Sequence, residues 1–126
     1  MESSLPRVLC VDDEPNILRA LSRSLHGRFE VETALGPHAG LEMLASEPAF
    51  DVVLSDMRMP GMDGIEFLTR VSQRWPGTVR MLLSGLGDTE AAARARAEGV
   101  LHRSLAKPCP VDELREALVD ALAARR

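Results

Sequence analysis

Val52-Val53-Leu54-Ser55-Asp56-Met57-Arg58-Met59-Pro60-Gly61-Met62-Asp63-Gly64 changes character twice along its length. Its opening Val-Val-Leu run is β-branched, unbroken and too short for a helix. It reads as a strand over 51–56 buried on both faces, which is the habit of a parallel sheet. Met59-Pro60-Gly61 follows as a tight turn, with proline where φ is preset and glycine where a positive φ is needed. A helix then starts near Asp63 and turns Ile65, Leu68 and Val71 inward. Strand, turn and helix thus meet around one carboxylate, Asp56.

The rest of the chain repeats that unit. Strands are expected over 7–11, 29–34, 78–84 and 100–106, each followed by a segment of helical period, which is the pattern of an α/β domain with five parallel strands. The first helix runs from Pro15 to near His26 with Ile17, Leu18, Leu21 and Leu25 on its inner face, and Gly27 closes it. The second covers 37–46 and buries Leu41 and Leu44. The fourth, 88–98, is alanine-rich, so it has high propensity and little bulk to pack. Val111, Leu114, Leu118 and Leu122 mark the inner face of the last.

With 126 residues the chain is read as one domain over 1–126, its ordered core about 6–124. A net charge of −4 without a basic run argues against direct nucleic-acid binding. Neither a signal-type h-region nor a spanning apolar stretch is present, so a cytoplasmic location and no membrane contact are expected. Cys10 and Cys109 have no neighbouring cysteine and read as incidental thiols. His26, His38 and His102 match no ligand spacing and read as surface or edge residues.

In an open α/β sheet, ligands sit beyond the carboxyl ends of the strands. Asp12, Asp13, Asp56, Ser84 and Lys107 all fall there. Lys107 is the single lysine beside fourteen arginines, which suggests a task for a compact ammonium rather than a planar fork. Each acid read singly is equally a cap or turn residue, and Ser84 an ordinary hydroxyl. Together, three carboxylates need a cation, and an all-oxygen set suits Mg²⁺ with room for phosphate oxygens. Asp56 could then act as a nucleophile that becomes an aspartyl-phosphate. Ser84 and Lys107 would meet the phosphoryl oxygens.

The set Asp12-Asp13, the Asp56-to-Gly64 block, Ser84-Gly85 and Lys107-Pro108 closely resembles the receiver domain of two-component response regulators. The resemblance covers nearly the whole chain, in order. It implies a flavodoxin-like (CheY-like) doubly wound sheet of five parallel strands flanked by five helices. It also implies a phosphoacceptor aspartate at Asp56, fed by a sensor histidine kinase or phosphotransfer protein, and Mg²⁺ held by Asp13 and Asp56. Asp12 would help through water, and the backbone carbonyl of Arg58 would complete the protein ligands. Ser84 would be the switch hydroxyl and Lys107 the phosphoryl contact, with a cis Lys107-Pro108 bond. Such a domain is not a turnover enzyme, although it assists its own phosphorylation and dephosphorylation.

Effector or partner contacts are expected on the fourth helix and fifth strand, and a phosphorylation-dependent dimer is left as an open alternative. An aspartyl phosphatase of the haloacid-dehalogenase type would need an acid where Arg58 stands. The chain departs from the receiver pattern at Ser104, where the family usually has Tyr or Phe, and the segment from Gly99 to Lys107 is one residue longer than the common spacing. That departure leaves an alternative output, a phosphate sink or docking module with weak switching. Arg58 and Leu86, two residues after Asp56 and Ser84, are expected to slow loss of the phosphoryl group by blocking water.

Overall fold

A computed structural model describes residues 5–125. Five strands, β1 (Arg7–Asp12), β2 (Glu30–Leu35), β3 (Val52–Asp56), β4 (Val79–Ser84) and β5 (Arg103–Ala106), form one parallel sheet in the order β2-β1-β3-β4-β5. The helices are α1 (Pro15–Leu25), α2 (Pro37–Ser46), α3 (Gly64–Arg74), α4 (Thr89–Ala97) and α5 (Val111–Ala124), with a single 3₁₀ turn, Leu86–Asp88, leading into α4. The five parallel strands are those the alternating pattern predicts, and their order is the doubly wound, flavodoxin-like one that the resemblance implies. The strand order reverses between β1 and β3, so the crevice above those two strands is where a ligand is accommodated.

Alternation along each strand divides the core in two. Leu9, Val11, Val53 and Leu82 face Phe67, Leu68, Val71, Ala92 and Ala95, while Val8, Cys10, Leu54, Met81 and Leu83 face Leu18, Leu25, Leu114, Ala117 and Leu118. The central β3 and β4 are buried along their whole length, as the unbroken Val52-Val53-Leu54 run predicts for β3. As its composition implies, α4 contributes only the methyl groups of Ala92 and Ala95 to the core.

Three expectations shift. Ile17 and Val111 are exposed rather than inward, because α1 and α5 bury narrower stripes than their apolar residues suggested. The fifth strand begins at Arg103 instead of residue 100. Gly99, with φ of 80°, ends α4, and residues 99–102 form a loop gripped from β4 by Arg80. The Arg80 guanidinium is buried and donates to the carbonyls of Val100 (2.7 Å), Gly99 (3.1 Å), Thr78 (2.8 Å) and Pro76 (3.3 Å). Leu101 in that loop is buried.

Candidate functional site

The three acids converge. Asp12 ends β1, Asp13 follows it, and Asp56 ends β3 next door; one carboxylate oxygen of each lies within 4.8 Å of the others. Asp12 and Asp56 are nearly buried, at 3% and 5% exposure, whereas Asp13 opens to solvent. The N–H of Glu14 donates to Asp12 Oδ1 (2.9 Å), and that of Arg58 to Asp56 Oδ2 (3.2 Å). Burial pushes the Asp12 carboxyl up to about 6, the Glu14 hydrogen bond and Lys107 oppose this, and the negative charges of Asp56 and Asp13 add to it. Such a crowded, partly desolvated carboxylate set is what a hard divalent cation relieves, so the residues present fit Mg²⁺.

Lys107 arrives from the far side of the sheet. Its N–H donates to the Ser84 carbonyl (2.9 Å), the Lys107-Pro108 bond is cis, and the ammonium reaches over β4 to Asp56 Oδ1 at 2.5 Å. The expected cis bond is therefore present.

The loop after Asp56 is fixed by packing. Met57, Met59 and Met62 are buried in the α3 side of the core, Gly61 takes the positive φ expected of the turn (84°), and Asp63 caps α3 by accepting from the Glu66 N–H (2.8 Å). Gly64 donates to the Met57 carbonyl (2.8 Å), and a Cβ there would lie 2.3 Å from the Asp56 carbonyl oxygen. Only glycine permits that approach, which seats the start of α3 directly under the phosphoacceptor candidate.

Ser84 ends β4 and borders a groove of about 640 Å³ under α4, with Thr89, Ala92, Arg96 and Ser104 among its walls. Ser104, standing where the family usually has an aromatic side chain, lines that groove. All five expected site residues thus lie at one end of the sheet.

A family model described as the response regulator receiver domain matches residues 8–119. The chain belongs to the receiver domains of two-component response regulators. Over 125 residues, 99% of its length, the receiver domain is 35% identical to the hydrogenase transcriptional regulatory protein HoxA of Cupriavidus necator, and over 97% it is 36% identical to the response regulator protein PilR of Pseudomonas aeruginosa. It spans about a quarter of those relatives, 26% and 27%. A response regulator receiver domain protein from Clostridium thermocellum superposes with a TM-score of 0.90 at 31% identity, over 96% of this chain and 97% of that one. Receiver domains are two-component signalling modules rather than turnover enzymes, and they bind Mg²⁺ through acidic residues such as those clustered here. Among the described residues, no helix is long and apolar enough to cross a membrane.

Asp88 at the site, and Arg80 away from it near the start of β4, were not legible as such. Asp88 read simply as a helix start, yet its buried carboxylate accepts from Arg58 Nη2 (2.8 Å) and from the Gly85 N–H (2.9 Å), joining the loops after β3 and β4. Arg80, inside an apolar strand, gave no signal beyond being a charge in a run that should be buried. That mismatch was the available clue. Leu86, by contrast, is 98% exposed and packs over nothing.

Proposed function

We propose that this domain accepts a phosphoryl group on Asp56 from the phosphohistidine of a sensor histidine kinase or a phosphotransfer protein. An Asp56 carboxylate oxygen forms the new O–P bond while the donor's N–P bond breaks, its electron pair returning to the imidazole nitrogen. Asp13, Asp56 and the Arg58 carbonyl would hold Mg²⁺, with Asp12 assisting through water. The cation's contribution is to offset charge on the transferring group. Lys107 pairs with a phosphoryl oxygen, and Ser84 supplies a hydroxyl to another. The observation that carries this reading is the convergence of three carboxylates with the lone ammonium on Asp56. Phosphoryl loss is assisted by the same residues, without turnover on external esters.

The whole described chain, 5–125, serves as a single cytoplasmic unit. Its output passes through α4 and β5 to an effector domain or partner protein, or to a second copy in a phosphorylation-dependent dimer. It makes no direct contact with nucleic acid. The names of relatives such as HoxA suggest a transcriptional effector. Ser104 beside an open groove favours a second reading of the output, a phosphate sink or docking module whose surface changes little.

Intact mass after treatment with acetyl phosphate and Mg²⁺ tests the first reading. A gain of one phosphoryl group is expected, abolished by Asp56→Asn and by removing the metal. No gain in the wild type, or an equal gain in Asp56→Asn, defeats it. Equal partner affinity of both forms would favour the sink.

A further inference from the structure

Asp88 stands at the N-cap of α4, the position at which an aspartate ordinarily accepts from the second or third helical N–H, here Glu90 or Ala91. It makes no such bond. Its carboxylate, 4% exposed, is turned back instead: Oδ1 takes Arg58 Nη2 and Oδ2 takes the Gly85 N–H. Both donors lie just past paired strand ends, where Asp56 of β3 stands opposite Leu83 of β4. Arg58 lies two residues beyond it and already gives its backbone N–H to Oδ2, while Gly85 follows the Ser84 hydroxyl. The Arg58 side chain is 72% exposed on a flexible stem, and among the described residues its guanidinium is held by Asp88.

We infer that Asp88 is a positioning residue that exchanges partners on phosphorylation: it holds Arg58 and Gly85 in the resting domain and caps α4 once a phosphoryl group on Asp56 draws them away. The inference rests on the phosphoacceptor reading. A phosphoryl group brings nearly two negative charges and three strong acceptors to the mouth bounded by these donors. It competes for both and repels the Asp88 carboxylate. A buried carboxylate stripped of partners is costly, so Asp88 must find new ones. The first-turn N–H groups of α4, at the positive end of its dipole, are adjacent. The exchange links Asp56 to α4 without any aromatic on β5, in a chain where Ser104 occupies that place.

The test is residue-resolved amide exchange of the full chain by NMR, with and without acetyl phosphate and Mg²⁺, beside intact mass on the same samples. In the wild type, Glu90 and Ala91 should exchange about fivefold more slowly once phosphorylated, the protection that one N-cap confers. Asp88→Ala should lose that slowing. Arg58→Ala, which removes an exposed side chain, should show part of it, about twofold, without phosphodonor, because Asp88 has lost one partner. A mass gain with unchanged Glu90 and Ala91 overturns the exchange while leaving the phosphoacceptor reading intact, as does equal slowing in Asp88→Ala. Should Asp88→Ala not fold, unaltered exchange in Arg58→Ala overturns it. Absence of a mass gain in the wild type removes the phosphoacceptor reading and the exchange together.

Discussion

The Lys107 ammonium spans the end of β4 to reach Oδ1 of Asp56 at 2.5 Å, so the last strand and the central strand are joined through the candidate phosphoacceptor itself. That contact gives the one lysine of an arginine-rich chain a specific partner. The pocket offers a single carboxylate oxygen at the end of a stem whose backbone is fixed by the Ser84 carbonyl, and a guanidinium is broader and needs a planar, two-pronged partner. Lys107→Arg is expected to keep the charge yet reduce the phosphorylation-induced change in α4 amide exchange by half or more. A full response in Lys107→Arg would mean that charge alone suffices.

Gly64 gives the most direct structural prediction. Its missing Cβ would lie 2.3 Å from the Asp56 carbonyl oxygen, 2.9 Å from the Met57 Cα and 2.8 Å from the Leu82 side chain. Two of those neighbours are backbone and cannot yield without moving the end of β3. Gly64→Ala is expected to lower unfolding stability by ~3 kcal/mol, as overpacked positions do, and to impair phosphorylation because Asp56 moves with the strand. A urea midpoint within error of the wild type would contradict it.

Much of this was legible because the deciding signals are local. The Val52-Val53-Leu54 run, the Pro60-Gly61 turn and the Asp63 cap each specify backbone shape within a few residues, and together they fix β3, its loop and α3. The strand-end positions of Asp12, Asp56, Ser84 and Lys107 follow from parallel topology alone. What escaped is contact between residues far apart in sequence. Asp88 meets Arg58 across thirty positions, and Arg80 reaches Val100 across twenty. Neither pairing leaves a periodic trace. The early start assigned to β5 failed for the same reason: Val100 and Leu101 have strand composition, but the Arg80 guanidinium claims the carbonyls of Gly99 and Val100.

Arg58 should govern the lifetime of the phosphoryl form. In the resting domain its side chain lies against the turn at Gly87; drawn from Asp88 to the phosphoryl group, it would cover the approach of water to Asp56, while the fully exposed Leu86 shields nothing. Arg58→Ala is therefore expected to shorten the half-life several-fold, and Leu86→Ala to leave it near the wild-type value. Following loss of the phosphoryl mass over time after removal of the donor checks both. Slower loss in Arg58→Ala would rule out a shielding role.

His102 makes the loop before β5 sensitive to acid. Its Nδ1 accepts the Arg80 N–H (3.0 Å) while its own N–H donates to the Arg80 carbonyl (2.8 Å), so a side chain closes a ladder that the backbone does not continue. Only the neutral ring can accept in this way. Burial and the adjacent Arg80 charge lower its pKa below the usual histidine value, with the Arg80 backbone hydrogen bond opposing them; of the arginines around the same groove, Arg103 pairs with Asp120 (3.9 Å) and Arg125 with Asp51 (2.8 Å). A depressed histidine pKa means that the unfolded chain binds the proton first. The contribution of His102 is accordingly present above about pH 6.5, the unfolded value, and is lost as pH falls from there through the lower folded value. Asp12, pushed up to about 6, works in the opposite sense, since its protonated form is favoured in the fold. The two overlap, so the difference between variants isolates the histidine. His102→Gln retains an acceptor that does not titrate; its urea midpoint should fall less than that of the wild type between pH 7.5 and pH 5, a window set by the histidine and carboxyl values. Parallel pH profiles for the two proteins would show that the His102–Arg80 bond contributes nothing to acid sensitivity.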